Sequence, residues 1–403
     1  MSARPLTLKT YLALNRGADA VPPLAVEAAR PAGRLIWACV ASAEQAQALR
    51  GFASRLKALR PDTSVMIVQS GRDAPDLPDD SQRAADAYAR ALRPDVVLWG
   101  DRFLRPALID AFARQGALLV ALDAQDAIFE TPAPRWLPDP SPATLGLFHT
   151  LYAVSQQAQR RLRRLGVSGS RVHVAGAFMD AGPPLECSEA LHTEVSDTLK
   201  GRPVWLAAQV RAAEVSDVLR AHRLATRWAH RVLLVIAAAT SEDEPAIRAA
   251  LKDSDMRCQC WEDGDLPEEA TQIVFAGDGS ELGLWYRVAP LAFLGSSLVT
   301  GHGGTDPFQA ATLGTAILYG PNVGKHLNAY TQLVEAGAAR IVRDADSLAA
   351  AVQHLTAPDQ SAAMAHAGWD VVSSGAQLVD TLMTQIGDWL DEHAPQDMSK
   401  GAV

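Results

Sequence analysis

Residues 34–69 read RLIWACVASAEQAQALRGFASRLKALRPDTSVMIVQ, and this stretch decides the fold. The runs 34–41 and 64–69 are short and mostly apolar, which is typical of strands buried on both faces of a parallel sheet. Residues 43–59 are rich in Ala, Arg and Gln and suit a covering helix. Because Arg60-Pro61-Asp62 would end that helix just before the second strand, the stretch is predicted to form one β–α–β unit.

The same alternation continues outward along the chain. Further strands are predicted at 95–100, 117–123, 150–154 and 171–175, and then at 204–208, 232–238, 256–261, 271–276, 291–294, 316–319 and 339–342. The fold class is therefore α/β, with two Rossmann-like domains built on parallel sheets. The expected divisions are an N-terminal domain at 1–180, a linker at 181–203, a C-terminal domain at 204–375, and a helix and tail at 376–403. Ligands of such sheets bind at the carboxyl ends of strands, so we expect a site in the cleft between the domains.

Charge is divided unevenly along the chain. The 403 residues carry a formal net charge of -9, which argues against a nucleic-acid partner. Residues 1–180 hold 22 Lys and Arg against 17 Asp and Glu, a net of +5. Residues 181–403 hold 15 against 29, a net of -14. Such an asymmetry indicates different partners for the two halves.

Several protein classes lose support from the motifs. The four cysteines are too few for a disulfide framework, and no His or Cys spacing indicates a metal site. No GxSxG, Walker or GxGxxG pattern supports a hydrolase, NTPase or dehydrogenase. Without a long apolar run or a signal peptide, the chain is expected in the cytoplasm. The apolar residues within 6–14 would pack into the core or rest on a membrane surface.

Two glycine-containing loops follow predicted strands in the second half. In residues 301–309 the glycines would let backbone N–H groups approach a ligand, and a helix beginning near Asp306 would direct its positive end at a phosphate. In residues 277–283 Ser280 would be the N-cap, and the N–H groups that follow it would hold a phosphate. The alternative for both loops is simple helix capping. In the first half, Glu44 follows the first strand as a general base or as a helix residue favoured by the dipole.

Segments from residue 33 to residue 339 resemble the 3-deoxy-D-manno-octulosonic acid (Kdo) transferase family. The similar segments include Leu35-Ile-Trp37, Arg202-Pro-Val-Trp-Leu-Ala-Ala, Gly277-Asp278, Glu281-Leu-Gly-Leu-Trp-Tyr286, Ala292-Phe-Leu-Gly-Ser-Ser-Leu-Val299 and Glu335-Ala-Gly-Ala-Ala339. The resemblance implies a GT-B fold and transfer of Kdo from CMP-Kdo to a lipid A precursor, with neither a metal nor another cofactor. It also implies a peripheral position on the cytoplasmic face of the Gram-negative inner membrane.

The resemblance further implies where the site residues lie. The family's general-base Glu falls on Gln45, with Glu44 beside it, and the Glu that would hold the donor ribose falls on Gln309. The donor-binding positions are Asp278, Ser280, Glu281, Gly303, Gly304, Thr305, Asp306, Gln309 and Lys325, the last standing where the family has Asn. The anionic acceptor and membrane would meet the first domain through Arg160, Arg161, Arg163 and Arg164. The family's Pro-Arg-His-Pro loop, linked to donor binding, falls on residues 237–240.

These departures leave three interpretations open. The first is a Kdo transferase with altered or weak activity. The second is a non-catalytic paralogue that binds lipid A precursor or a partner, because the Gln45 amide cannot take a proton from a sugar hydroxyl. The third is a GT-B enzyme that uses another activated-sugar donor, with Asp306 and Lys325 changing the pocket.

Overall fold

The computed structural model describes residues 4–17, 30–70, 77–126, 128–129, 139–179, 182, 184–264 and 266–393. The chain divides into two compact units. The first unit comprises Met1–Asp180 together with Ser374–Val403, and the second comprises Ala181–Ser373. All strand pairs among the described residues are parallel. The predicted class of two parallel-sheet α/β domains is therefore confirmed.

The first unit is built on a parallel sheet of six strands. Its strands are β1 (Arg34–Val40), β2 (Thr63–Gln69), β3 (Val96–Gly100), β5 (Leu118–Ala124), β7 (Thr150–Ala153) and β8 (Val172–Val174), and the two-residue strands β4 (Phe103–Leu104) and β6 (Ile128–Phe129) pair separately. The order across the sheet is β2-β1-β3-β5-β7-β8. Strand order therefore reverses between β1 and β3, which is where ligands of open parallel sheets bind.

Burial explains why the apolar runs predicted these strands. Alternate residues of β1 enter separate hydrophobic cores: Leu35, Trp37 and Cys39 enter one, and Ile36, Ala38 and Val40 the other. Because both faces are covered, nearly every position of the strand has to be apolar.

The helices of the first unit cover both faces of the sheet. They are α1 (Leu6–Leu14), α2 (Ala43–Leu59), α3 (Gln82–Leu92), α4 (Pro106–Arg114), α5 (Ser141–Leu145) and α6 (Gln156–Arg164), with a 3-10 turn at Gly169–Arg171. In α1, Leu8, Tyr11 and Leu12 are buried, which confirms the core-packing alternative for these residues, whereas Leu6 is exposed. Arg4 fixes the start of α1 through a bidentate pair with Asp110 at 2.7 and 2.9 Å.

The second unit repeats the plan on a sheet of seven strands. They are β9 (Val204–Val210), β10 (Leu233–Ala238), β11 (Cys258–Cys260), β12 (Ile273–Phe275), β13 (Leu291–Leu294), β14 (Ala316–Tyr319) and β15 (Ala339–Ile341). The order is β11-β12-β10-β9-β13-β14-β15, so the reversal lies between β9 and β13. The carboxyl ends of these two strands are the expected ligand position.

Helices also cover the second sheet. They are α7 (Glu189–Leu199), α8 (Val215–Ala225), α9 (Glu244–Lys252), α10 (Leu282–Val288), α11 (Phe308–Thr312), α12 (Leu327–Glu335) and α13 (Ala345–Leu355), with 3-10 turns at Ala212–Glu214, Trp261–Asp263 and Gly324–His326. Helix α7 lies in the segment predicted as a linker, yet Val195 and Leu199 are buried in the core of this unit.

The C-terminal helix α14 spans Pro358–Glu392, well beyond the 376–392 helix that the sequence predicts. Its residues up to Ser373 belong to the second unit and those from Ser374 to the first. Leu378, Leu382 and Ile386 are buried in the core of the first unit. The tail predicted after this helix lies outside the described residues.

Candidate functional site

Gln45 lies at the strand-order reversal of the first unit, in the first turn of α2. Its Oε1 accepts hydrogen bonds from the N–H groups of Ala41 (2.9 Å) and Ser42 (3.3 Å), while its own N–H donates to Ser42 Oγ (3.1 Å). This reciprocal arrangement is a capping box, which pairs otherwise unsatisfied N–H groups at a helix start. Gln45 Nε2 donates to the Gly100 carbonyl at the end of β3 (3.2 Å) and to Asp123 Oδ2. The amide is therefore held at both ends.

Asp123 is the carboxylate that meets this amide. It lies near the carboxyl end of β5, where the pairing with β7 changes register, and its backbone is left-handed at φ 51°. Its Oδ1 accepts the Phe178 N–H at 2.5 Å. Burial raises the pKa of Asp123 to about 6, although both hydrogen bonds act to lower it. The group thus changes charge close to neutral pH.

Glu44 precedes Gln45 in the first turn of α2 and is partly buried. Adjacent helical positions point about 100° apart around the axis. The capping box is formed by Gln45, and Glu44 occupies a position where the helix dipole favours an acidic side chain. The general-base role considered for Glu44 stays a prediction, and Gln45 stands at the family's base position as an amide that cannot accept a proton.

At the reversal of the second unit, one buried carboxylate organises the backbone. Glu214 Oε2 accepts the N–H groups of Arg211 (3.0 Å) and Ser296 (2.7 Å). Its Oε1 accepts those of Ser297 (2.9 Å) and Leu298 (2.7 Å). Four N–H donors compensate for burying the charge, so the loop after β13 is fixed to the loop after β9.

Arg211 lies beside the Glu214 carboxylate and its four N–H donors, and its side chain is only partly exposed. Its Nε donates to Ser296 Oγ (3.0 Å), and its guanidinium pairs with Asp243 at 3.1 Å. Burial opposes ionisation of Asp243, but hydrogen bonds from the Ala212 N–H and the Thr240 hydroxyl, together with Arg211, lower its pKa. An arginine held in this way presents a fixed cation at the carboxyl edge of the sheet.

The glycine loop after β13 and Lys325 come together. Gly303 and Gly304 have φ of 84° and 82°, values that favour glycine. The Lys325 N–H donates to the Gly303 carbonyl (3.1 Å), and a Cβ at Gly303 would lie 2.6 Å from Lys325 Cγ. The buried Thr305 hydroxyl donates to the Gly295 carbonyl (2.9 Å). Four of the predicted donor-binding positions thus share one loop cluster.

Asp306 and Gln309 flank the start of α11. The N-cap is Pro307, while Asp306 Oδ1 accepts the Phe308 N–H at 2.9 Å. Under the helix-capping alternative the N-cap of this loop would be Asp306, which is wrong by one residue, because the carboxylate reaches past a proline that has no N–H to donate. Gln309 lies in the first turn of α11, beside Gly182.

The Gly277 loop lies at the end of β12, near the end of β10. The Ala238 N–H donates to the Gly277 carbonyl at 2.8 Å. The N-cap of α10 is Glu281, so the N-cap predicted at Ser280 is also wrong by one residue. Asp278 Oδ1 accepts the Ser280 N–H (3.0 Å), and Glu281 accepts from the Trp261 indole. Asp278, Ser280 and Glu281 thus form one loop beside β10, whereas the Gly303 cluster lies beside β13.

A basic face is present on α6 of the first unit. Ala158 and Leu162 are buried, and the four predicted contact arginines are exposed: Arg160, Arg161, Arg163 and Arg164. Arg161 pairs with Asp126 at 3.2 Å. The helix therefore turns its positive charge to solvent.

Within the described residues, no group of three or more His, Cys, Asp or Glu side chains is arranged to hold a metal ion. Among the described helices, none has the length and apolarity needed to cross a membrane.

Three charged residues of these sites are not apparent from the sequence patterns: Asp123, Arg211 and Glu214. Asp123 ends a predicted strand and Arg211 lies three residues beyond another, so a list of charged residues near strand ends would include these two, whereas Glu214 lies six residues beyond the same strand. Their importance depends on side-chain contacts between loops that are distant in sequence, which single-sequence patterns do not contain.

Residues 20–179 match the family model described as 3-Deoxy-D-manno-octulosonic-acid transferase (kdotransferase). The 3-deoxy-D-manno-octulosonic acid transferase of Haemophilus influenzae is 26% identical over 194 residues, covering 48% of this chain and 45% of that protein. The enzyme of the same name from Bordetella pertussis is 25% identical over 323 residues, covering 78% and 74%. The chain thus spans less than half the length of the Haemophilus relative.

Solved structures give weaker likenesses. The C-terminal CMP-Kdo binding domain of WaaA from Acinetobacter baumannii has 18% identity and a TM-score of 0.40, covering 48% of this chain and 99% of that one. The UDP-GlcNAc 2-epimerase of Neisseria meningitidis has 11% identity and a TM-score of 0.44, covering 87% and 100%. The sequence matches confirm the resemblance drawn from the motifs: residues 20–179 match the Kdo transferase family model, and the chain is similar to the Haemophilus and Bordetella Kdo transferases at 26% and 25% identity.

Proposed function

We propose that this protein is a glycosyltransferase of lipopolysaccharide biosynthesis that transfers Kdo from CMP-Kdo to a lipid A precursor. The observation that supports the proposal is the match of residues 20–179 to the Kdo transferase family model. In this proposal the first unit binds the acceptor and the second unit binds the nucleotide-activated donor.

Donor binding would use the carboxyl edge of the second sheet. The amides of the Gly303 cluster can approach a phosphate closely because the loop has no side chain at two positions. Lys325, exposed beside Gly303, supplies a cation. Arg211, fixed by Ser296 and Asp243, would supply the charge that the family places in the loop aligned here with residues 237–240.

Acceptor binding would use the basic face of α6. Lipid A precursor carries phosphate groups, and an inner membrane presents anionic lipids. Each exposed arginine close to such a surface contributes about 1 kcal/mol of attraction. This proposal places the protein peripherally on the membrane, with Arg160, Arg161, Arg163 and Arg164 as contacts.

The test is an assay of CMP release. Purified full-length protein is incubated with CMP-Kdo and a tetraacylated lipid A precursor, and free CMP is measured against reactions that lack either acceptor or protein. The proposal predicts release that requires both. Release no greater than in the protein-free blank would contradict it.

One observation favours the non-catalytic alternative. Both polar atoms of the Gln45 amide are engaged in hydrogen bonds, and an amide cannot act as a base. A non-catalytic protein would bind the acceptor without releasing CMP. Calorimetry with CMP and, separately, with the lipid A precursor distinguishes the two: binding of both supports the enzyme, and binding of the lipid alone supports the paralogue.

A further inference from the structure

The first unit contains an amide–carboxylate pair at the position where the related enzymes use a single carboxylate. The resemblance places the family's base at residue 45, which is Gln45 here, and the side chain bonded to that amide is Asp123. An amide lacks a basic lone pair at neutral pH, whereas a carboxylate with a pKa of about 6 is mostly ionised at pH 7.

We propose that Asp123 is the proton-accepting catalytic residue of this site and that Gln45 is its positioning residue. The inference rests on the glycosyl transfer proposed above. In the step, the acceptor hydroxyl oxygen forms a bond to the anomeric carbon of the activated sugar. The bond from that carbon to the phosphate oxygen breaks, and the nucleoside monophosphate leaves with the electron pair. The hydroxyl proton passes to a carboxylate oxygen of Asp123.

The contacts of Gln45 show why the two residues belong together. Its Oε1 faces two N–H donors, and its Nε2 faces two acceptors, the Gly100 carbonyl and Asp123. This pattern fixes the orientation of the amide. A glutamate at residue 45 would direct a carboxylate oxygen at the Gly100 carbonyl and at the Asp123 carboxylate, and these oxygens would repel one another. An acid at residue 123 therefore favours an amide over a second acid at residue 45.

The backbone of Asp123 is also unusual, since it is one of five described residues other than glycine with a positive φ. Residues other than glycine rarely adopt a left-handed φ, and such conformations cost about 1 kcal/mol or more. At Asp123 that conformation coincides with the register change between β5 and β7. It directs the carboxylate to the carboxyl edge of the sheet, where it receives Gln45 and the Phe178 N–H.

The pair keeps hydrogen-bonding capacity for a ligand. Asp123 and Gln45 are of intermediate exposure as whole residues, while the Asp123 carboxyl group itself is enclosed enough for burial to raise its pKa. Each carboxylate oxygen of Asp123 accepts one of these two hydrogen bonds, which leaves a further lone pair on each for a substrate hydroxyl. Position 100 is a glycine, and a Cβ added there would lie 3.4 Å from Gln45 Nε2. The amide can therefore approach the backbone at this position without meeting a side chain.

The test compares four full-length proteins: wild type, Asp123→Asn, Gln45→Glu, and the exchanged double variant Gln45→Glu/Asp123→Asn. Loss of a general base should lower kcat for CMP release by about 100-fold or more in Asp123→Asn, with little change in KM. The exchanged variant should recover part of that loss, because it again has one acid and one amide. Asp388→Asn, an exposed acid of the same unit, is the matched control and should retain wild-type kcat. Thermal melting confirms that each variant is folded.

Full kcat in Asp123→Asn, with an active wild type, would overturn the inference and leave the proposed function in place. A silent wild type with an active exchanged variant would also overturn it, because the acid would then act only from residue 45. If all four proteins are silent, the proposed function fails, and NMR decides on the pair. The Gln45 side-chain amide signal should shift near pH 6 in wild type and should not shift with pH in Asp123→Asn. This result supports a proton-accepting Asp123. A signal that does not titrate overturns it.

Discussion

Asp123 combines burial, an unusual backbone conformation and two hydrogen bonds in one side chain. Its pKa of about 6 exceeds the usual value of about 4 for Asp. Between these two pH values the folded protein binds a proton that the unfolded chain does not. Protonation of Asp123 therefore contributes to the free energy of unfolding, and this contribution is fully present below about pH 4 and is lost as the pH rises through about 6.

Asp123→Asn removes this titration and should change the pH dependence of stability. From pH 5 to pH 7.5, the unfolding free energy of the wild type should fall relative to that of the variant by about 1 kcal/mol. Urea denaturation at both pH values measures the difference. Asp80, whose pKa burial also raises to about 6, is present in both proteins and cancels. A difference that is the same at both pH values would contradict the assignment.

Glu214 is a buried acid with a structural role, because its carboxylate accepts hydrogen bonds from four backbone N–H groups. Glu214→Gln replaces one oxygen with an NH₂ group that faces two of these donors. We expect a loss of about 3 kcal/mol in unfolding free energy, measured by urea denaturation. The Ser297 and Leu298 amides should also lose protection in hydrogen exchange. The exposed Glu242→Gln is the control, and an equal effect in both variants would contradict this role.

Among the elements, the loop after β13 requires glycine for two reasons. The first is a positive φ, and the second is the close contact between Gly303 and Lys325. Gly301 and Gly303 both have positive φ, at 97° and 84°. A Cβ would have open space at Gly301 but would lie 2.6 Å from Lys325 Cγ at Gly303. The two positions therefore separate the cost of backbone strain from the cost of displacing Lys325.

Gly303→Ala should weaken CMP binding by about tenfold or more relative to Gly301→Ala, because it displaces Lys325 and the neighbouring amides. Calorimetry with CMP measures this, and thermal denaturation checks folding. Equal affinities in the two variants would show that Lys325 and this loop are not part of the nucleotide site.

The elements also show what the sequence could predict. Long apolar strands such as β1 and β10 are evident from the sequence because both of their faces are buried, which requires a continuous apolar run. The strand pair of β4 and β6 is only two residues long in each strand and leaves no periodic signal. The sequence predicts only the second half of α14, which runs from Pro358, because Gly368 and Gly375 resemble stop signals. The Gln45–Asp123 contact joins residues 78 apart, so no local pattern contains it.

At the scale of the whole molecule, the two halves of the sequence differ in net charge. Residues 1–180 have a net charge of +5, and the exposed arginines of α6 contribute to it. Residues 181–403 have a net charge of -14. The expected cleft site between the domains stays a prediction.

Replacing Arg160, Arg163 and Arg164 with Ser should weaken binding to vesicles of anionic phospholipid by about 100-fold at low salt. Sedimentation with vesicles of increasing anionic content measures the affinity. The matched control replaces Arg223, Arg227 and Arg231, exposed arginines of the second unit, with Ser. Equal weakening by both triple variants would assign the attraction to total charge and contradict a specific basic face.

The most direct test of the proposed function is the mass of the acceptor after reaction. Wild-type protein is incubated with CMP-Kdo and a tetraacylated lipid A precursor, and the lipid is analysed by mass spectrometry. The proposal predicts a product heavier by one or more Kdo residues, formed only when donor, acceptor and protein are all present. An unmodified acceptor, with both substrates bound by the protein, would contradict it.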